Sequence, residues 1–450
     1  MSRLAAFGLA LMSTCALVGT AAAENARTLQ IIVSKDKQLL SVYDGDQMVA
    51  TSKVSTGKDG HDTPTGIFSI LDKKKYHESN IYSNAPMPWM QRLTWSGIAL
   101  HESNSVPNYP ASHGCVRLPA AFAQSLYGMT ERGVHVVITD AQVTPVTIAA
   151  DKLFAPTKPV PSNLMSDVPL RASAITNTKK QVEVAMNVAP ASPAPSAPPK
   201  FSEKVEGQEA PPLRILITRR GEREQIADVQ AMLNNLGFDA GEPDGFAGST
   251  TRTAIDGFKR WKGLQQKGLL SAEFVAALYE AAGKAAAPAG QLMIRQGFKQ
   301  ILSEPVGIKE ADTALGTHLF TATAFDRSAG TAGWQALTLP NRLPDAMMKR
   351  LNIKLAEEPA GYGASAAERA LDRIEISSAL RNRIEGMLTS GSSITINDQG
   401  IGQDTGDGTD FITVTRSTPE RLEATTVSTG QRADRPARKV RSVPQGVGLY

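Results

Sequence analysis

The sequence predicts a multidomain protein: a mainly-β N-terminal domain, a small all-α domain behind a proline-rich linker, and a mixed α/β C-terminal region. Three observations carry this. Residues 27–140 hold short β-branched and apolar runs broken by turn signals. Residues 213–282 switch to apolar residues at helical spacing. Between them, Val188 to Pro199 is almost entirely alanine, proline and serine.

A chain of 450 residues has room for about three domains. Its formal charge of +4 suits loose attraction to an anionic wall and does not argue for nucleic acid. Residues 1–23 read as a signal peptide. Arg3 supplies the positive start, Leu4 to Gly19 the uncharged apolar stretch, and Ala21-Ala22-Ala23 a small-residue cleavage site. An uncleaved anchor is the weaker alternative, and no later stretch is long and apolar enough to span a bilayer. Cleavage would remove Cys15, one of only two cysteines, and leave Cys115 as a lone thiol.

In residues 27–140, Leu29 to Val33 is an apolar run and Gln38 to Tyr43 is β-rich, followed by the turn signal Asp44-Gly45. Met48 to Val54 returns as the partner strand, Gly97-Ile98-Ala99-Leu100 leads into His101, and Val134 to Thr139 closes the unit. A short helix is expected behind Pro119, from Ala120 to Tyr127. Residues 141–212 read as a linker, its proline-rich half extended and semi-rigid because proline fixes φ and removes a donor.

In residues 213–282 three short helices are expected. Ile226, Val229, Leu233 and Leu236 mark the first, with Gly237 as its stop. Ala254, Ile255, Phe258 and Trp261 mark the second. Phe274, Val275 and Leu278 mark the third, behind a Ser271 cap. Residues 290–415 alternate in places, with Ile376, Leu380, Ile384 and Leu388 between them at four-residue spacing. Thr313 to Phe320 echoes Thr63-Pro64-Thr65-Gly66-Ile67-Phe68, so this region is of unknown role or a degenerate copy of the N-terminal fold. Asp404, Asp407 and Asp410 lack an EF-hand pattern and read as a solvated loop. Residues 416–450 read as a disordered basic tail.

A lone cysteine in Ser112-His113-Gly114-Cys115-Val116-Arg117-Leu118 has no structural purpose in an exported chain, so catalysis is the reading that accounts for it. A nucleophilic thiol needs a base, and five of the six histidines fall between positions 61 and 135. His101, at the end of an apolar strand, can approach the sulfur from across the site and is assigned as base. His113 and Gly114 are assigned to site shaping, Gly114 by freeing the backbone so that N–H groups meet an oxyanion. His61 and His77 read as surface residues and His135 as structural. A Cys/His zinc site lacks a second cysteine at any usual spacing, so no metal or cofactor is invoked.

The runs Ile98-Ala99-Leu100-His101 and Pro110 to Leu118 resemble the signature of the L,D-transpeptidase (YkuD-type) catalytic domain. Upstream, Val54-Ser55-Thr56-Gly57, Thr63 to Phe68 and Pro86-Met87-Pro88-Trp89-Met90 agree in the family's order. The resemblance implies a β-sandwich-like fold and acyl transfer through a Cys115 thioester on peptidoglycan stem peptides, releasing D-alanine and forming a 3→3 crosslink. Water as acceptor would instead make a carboxypeptidase, and an envelope lipoprotein is another acceptor. The resemblance also implies a periplasmic location and covalent inhibition by a carbapenem. Arg117 would take a substrate carboxylate, with a structural ion pair as the alternative. Ser112, Trp89 and Met90 are assigned to substrate binding, and Asp72 to Thr94 to a lid, with packing on the sheet as the alternative for Trp89 and Met90. In the helical segment, Leu236-Gly237-Phe238 and Pro243-Asp244-Gly245 with Gly248 and Phe258 are similar to the peptidoglycan-binding three-helix domain. That likeness implies wall binding, with domain spacing or a non-catalytic scaffold as alternatives; Lys259 stands where glutamine is frequent.

Overall fold

The β-branched N-terminal runs pair into a six-stranded sheet. In the structure, a computed structural model that describes residues 28–79, 84–158, 210–355 and 364–416, β1 (Leu29–Ser34), β2 (Leu39–Asp44) and β3 (Gln47–Lys53) form successive antiparallel hairpins. Gly45 makes the predicted tight turn at φ 60°. β4 (Thr65–Ser69) lies further along the sheet. A second sheet of four short strands joins β5 (Asp72–Lys74), β6 (Met90–Arg92), β7 (Ala99–Glu102) and β8 (Val116–Leu118) in that order. α1 (Ala120–Met129) starts directly after Pro119 and leads into β9 (His135–Thr139), which pairs parallel to β1 and antiparallel to β4. Ile31, Val42, Phe68 and Val136 of the large sheet meet Leu100 and Val116 of the small one, with Leu126 of α1, in one fully buried core. That core fixes the small sheet's inner face and leaves its other face for chemistry.

Two segments depart from the sequence boundaries. Residues 141–212 are not all linker: β10 (Val146–Ile148) joins the edge of a third, eight-stranded sheet, and Phe154 is buried there beneath Trp334, whose indole Nε1 donates to the Phe154 carbonyl at 3.0 Å. The proline-rich stretch lies outside the described residues, as do residues 1–27 and 417–450. Residues 213–219 are not helical. β11 (Leu213–Arg219) is a central strand of the third sheet, buried at all seven positions, so it lacks the alternation that marks a half-exposed strand.

The helical module follows β11. α2 (Glu222–Asn235), α3 (Ser249–Lys262) and α4 (Ala272–Ala281) pack Val229, Leu233, Ile255, Phe258, Phe274 and Leu278 into a core of their own. The Ser271 hydroxyl accepts from the Phe274 N–H, as the cap signal predicted. Trp261 is an exception: it is exposed, its ring 5.6 Å from that of Phe258. Lys259 is buried, with its ammonium donating to the Gly268 carbonyl, so it ties the loop behind α3 rather than facing a ligand.

The chain then returns to the third sheet through β12 (Gly290–Gln296), β13 (Lys299–Ile308), β14 (Thr317–Asp326) and β15 (Thr331–Leu339). α5 (Asp345–Leu351), α6 (Ala364–Asp372), β16 (Ile374–Glu375) and α7 (Ser378–Met387) precede β17 (Ser393–Ile396). The last strand, β18 (Thr413–Thr415), leaves this region and pairs antiparallel with β4 in the first sheet. Asp410 is not solvated; it is buried against Arg214, with Nε to Oδ2 at 3.3 Å. Its neighbour Asp407 is exposed.

Candidate active site

Alternation along the small sheet decides which side chains share its open face. Leu100, Val116 and Leu118 point into the core. Ala99 and His101 on β7, with Arg117 in β8 and Cys115 just before it, therefore face the other way. Pairing of β7 with β8 sets His101 beside Arg117, and one step back in the same register sets Ala99 beside Cys115. Pairing of β6 with β7 sets Arg92 beside Ala99. Cys115 and His101 are thus diagonal neighbours on one face, and Arg92 shares that face with only the small Ala99 between it and the cysteine.

His101 is almost fully buried, and its Nδ1 lies 2.7 Å from the Glu102 carbonyl. A carbonyl only accepts, so Nδ1 carries the proton and Nε2 carries the lone pair. Burial pulls the imidazole pKa down to about 4, against the Glu102 hydrogen bond and with help from the Arg117 charge. Cys115 is half-buried, and its thiol donates to the Gly97 carbonyl at 3.3 Å. Burial pushes this thiol above its ordinary value of 9.0, opposed by the Ala99 backbone and the charges of Arg92 and Arg117. The resting pair is a neutral thiol beside a neutral imidazole.

The turn before the cysteine is closed by side chains. Gly114 sits at φ 113°, where a side chain would be strained. Its N–H donates to Ser112 Oγ at 3.1 Å, and the Ser112 hydroxyl donates on to the Cys115 carbonyl at 2.5 Å. Thr63 Oγ1 donates to the Gly114 carbonyl at 2.7 Å and accepts the Gly57 N–H at 2.8 Å. The Gly114 N–H is therefore committed to Ser112 and does not serve as the expected oxyanion donor; the glycine's contribution is its backbone angle.

Of the residues assigned from sequence, the fold brings Cys115, His101 and Arg117 onto one face. His113 is exposed at the turn, its ring 4.7 Å from that of His61. Ser112 and Met90 are buried and offer a substrate no surface: Ser112 ties the turn, and Met90 packs with Met87 and Ala99 behind Cys115. Trp89 is half-buried and packs on the core, 5.4 Å from the Tyr127 ring. Asp72 to Thr94 is not a free lid, because β5 and β6 within it are strands of the site's own sheet; residues 80–83 lie outside the described residues.

Sequence reading missed Arg92. The alternation that pairs it with Met90 on β6 was available as a signal. Its Nη2 lies 3.2 Å from His77 Nε2, its Nε is buried without a hydrogen-bond partner, and its guanidinium lies 5.5 Å from the Trp95 ring centre. Among the described residues neither Arg92 nor Arg117 forms an ion pair, and no three potential metal ligands converge.

These elements coincide with a known catalytic domain. Residues 29–138 match the L,D-transpeptidase catalytic domain. Residues 222–278 match a peptidoglycan binding domain. No curated protein matches the chain. Among solved structures, an L,D-transpeptidase from Xylanimonas cellulosilytica is 26% identical over 26% of this chain and 62% of its own, with a TM-score of 0.23. An L,D-transpeptidase from Mycobacterium smegmatis is 21% identical over 25% of this chain and 59% of its own, with a TM-score of 0.24. Another, solved in complex with imipenem, is 22% identical over 25% of this chain and 59% of its own, with a TM-score of 0.24. The chain thus spans about three fifths of the length of these structures.

Proposed function

We propose that the protein is an exported L,D-transpeptidase of the cell envelope that works in the periplasm and transfers peptidoglycan stem peptides through a Cys115 thioester. The observation that carries this is the placement of Cys115 and His101 on one sheet face, with the Glu102 carbonyl leaving Nε2 of His101 as the base. Cys115 Sγ attacks the carbonyl of the third stem residue while its proton passes to His101 Nε2. The C–N bond breaks, the imidazolium protonates the leaving amine, and D-alanine departs. An acceptor amine then attacks the thioester, gives its proton to His101, and the sulfur leaves as the thiol. His113 stands at the mouth of the turn, where it polarises the carbonyl, and the Cys115 N–H takes the oxyanion. Arg92 and Arg117 receive the stem's carboxylates.

Two measurements test this. With disaccharide-tetrapeptide as substrate, mass spectrometry should show dimers that have lost one D-alanine. Tripeptides alone would make the protein a carboxypeptidase, and unchanged substrate would leave a wall-binding scaffold. A carbapenem should add once to the mature wild type and not at all to Cys115→Ala. The carboxylate assignment is read separately. Arg92→Gln should lower kcat/KM for the tetrapeptide roughly 10- to 100-fold, the size of a lost charge-assisted hydrogen bond. The same variant should respond much less when the terminal carboxylate is amidated; an equal response to amidation in both proteins would remove Arg92 from the substrate.

A further inference from the structure

The third sheet repeats the first. The first runs β4-β9-β1-β2-β3, and the third contains β14-β17-β11-β12-β13 in sequence-equivalent order. Directions match at every step: β9 is parallel to β1 and antiparallel to β4, and β17 is parallel to β11 and antiparallel to β14. Registers match residue by residue. Ile31 lies between Val136 and Val42, and Phe68 pairs with Val136. Ile215 lies between Ile394 and Ile294, and Phe320 pairs with Ile394. The β2–β3 hairpin shifts register after Val42, and β12–β13 shifts after Ile294. Both hairpins then close through a two-residue turn begun by a left-handed glycine, Gly45 at φ 60° and Gly297 at φ 56°. The ion pair Lys35–Asp140 at 3.0 Å has its counterpart, at the same strand ends, in Arg219–Asp398 at 2.6 Å. Among the described residues no strand between β14 and β17 corresponds to β7 or β8, and the sequence holds no cysteine there. The helical module occupies the place of the short turn that joins β1 to β2.

The two sheets are also fastened together. Ile32, Ile67 and Val137 on the first pack against Leu319 and Leu337. His135 Nε2 and Ser393 Oγ, at equivalent register positions, meet at 2.8 Å. After β9 the chain crosses to the third sheet as β10, and after β17 it crosses back as β18. That return strand matters for the site. β18 covers β4, with Val414 opposite Gly66 and Thr415 opposite Thr65, and Thr65 Oγ1 donates to the Thr415 carbonyl at 2.9 Å. Thr63, two residues before Thr65, holds the Gly114 carbonyl next to Cys115.

We propose that the region from β10 to β18 is a second copy of the catalytic fold that has no nucleophile sheet, carries the helical module as an insertion in its first hairpin, and positions Cys115 of the first copy through β18, β4 and Thr63. Thr63 is the positioning residue, acting through the Gly114 turn. The inference deepens the transferase reading and rests on it only for turnover, because Cys115 alkylation reads the turn directly.

The test compares chains ending at Arg416 and at Ile412, which differ in having or lacking β18. The first should behave as the full chain. The second should alkylate Cys115 with iodoacetamide at an altered rate and lose about 10- to 100-fold in kcat with KM little changed, the scale of a displaced reacting group. A chain ending at Ile412 that folds and matches the full chain in both readouts overturns the proposal. Where that chain does not fold, Thr63 decides. Thr63→Val should show the same losses and Thr63→Ser should restore them; Thr63→Val indistinguishable from wild type overturns the proposal. Normal effects on alkylation in a protein without any transferase activity would remove the transferase reading and leave the positioning role standing.

Discussion

Cys115→Ala should abolish formation of both acyl-enzyme and crosslinked product, and His101→Gln should lower acylation by about 10²- to 10⁴-fold, the range of a lost general base. The difference follows from the resting state. Without sulfur no thioester can form, whereas without the imidazole a thiol can still lose its proton to water at reduced rate. The pH dependence separates the roles. A base works while neutral, and the His101 pKa of about 4 keeps it neutral through the ordinary range. Acylation by wild type should therefore fall only as pH drops through about 4, and His101→Gln should lack that limb. Alkylation of free Cys115 by iodoacetamide should rise with pH and pass its midpoint above 9.0, since burial raises the thiol. A midpoint near neutrality would mean a preformed thiolate–imidazolium pair and would overturn this account of the resting site.

The proposed cysteine–histidine pair is legible because both residues sit in local signals: a glycine turn beside a thiol, and a histidine ending an apolar run. Gly45, Ser271 and Pro119 set their turn, cap and helix start for the same reason, since each acts within a few residues. What stayed hidden depends on long-range pairing. β11 is buried on both faces, so its apolar run lacks the alternation of a half-exposed strand and falls in sequence to the helical segment that follows it. β18 is three residues long and belongs to a sheet more than 340 positions earlier in sequence, as the 350-residue separation of Thr65 and Thr415 illustrates. The Thr313–Phe320 echo was visible, yet its order in the sheet was not. Thr317 and Phe320 occupy the registers of Thr65 and Phe68, a correspondence that only the pairing with β17 and β9 reveals. Arg92 carries no such local signal, because charged residues on a β-strand ordinarily face water, whereas here the face turned from the core holds Cys115 and His101.

The second large effect is acid lability between about pH 6.5 and 4. His101 and His318 are both buried with pKa values of about 4, and burial is the first cause in each. His318 is held between the Leu315 carbonyl at 2.9 Å and Thr338 Oγ1 at 3.0 Å; Asp398 pulls its pKa up and Arg369 pushes it down. His135 is lowered too, first by burial and then by the Arg214 charge, where the two sheets meet. An unfolded imidazole titrates near 6.5, so below that pH the unfolded chain takes up protons that His101 and His318 refuse until about pH 4. The sign is therefore a loss of stability as pH falls, absent above 6.5 and complete below about 4. For His101 and His318 it amounts to about 3 kcal/mol each, a large share of the 5–15 kcal/mol typical of a folded protein. The urea midpoint should drop steeply from pH 7 to pH 4.5. His318→Gln, which keeps a hydrogen-bonding side chain and removes one of the three titrations, should flatten that drop by roughly a third. An unchanged slope in His318→Gln would show that the histidine gains its proton inside the folded chain, and that the core around β14 opens to water before the molecule unfolds.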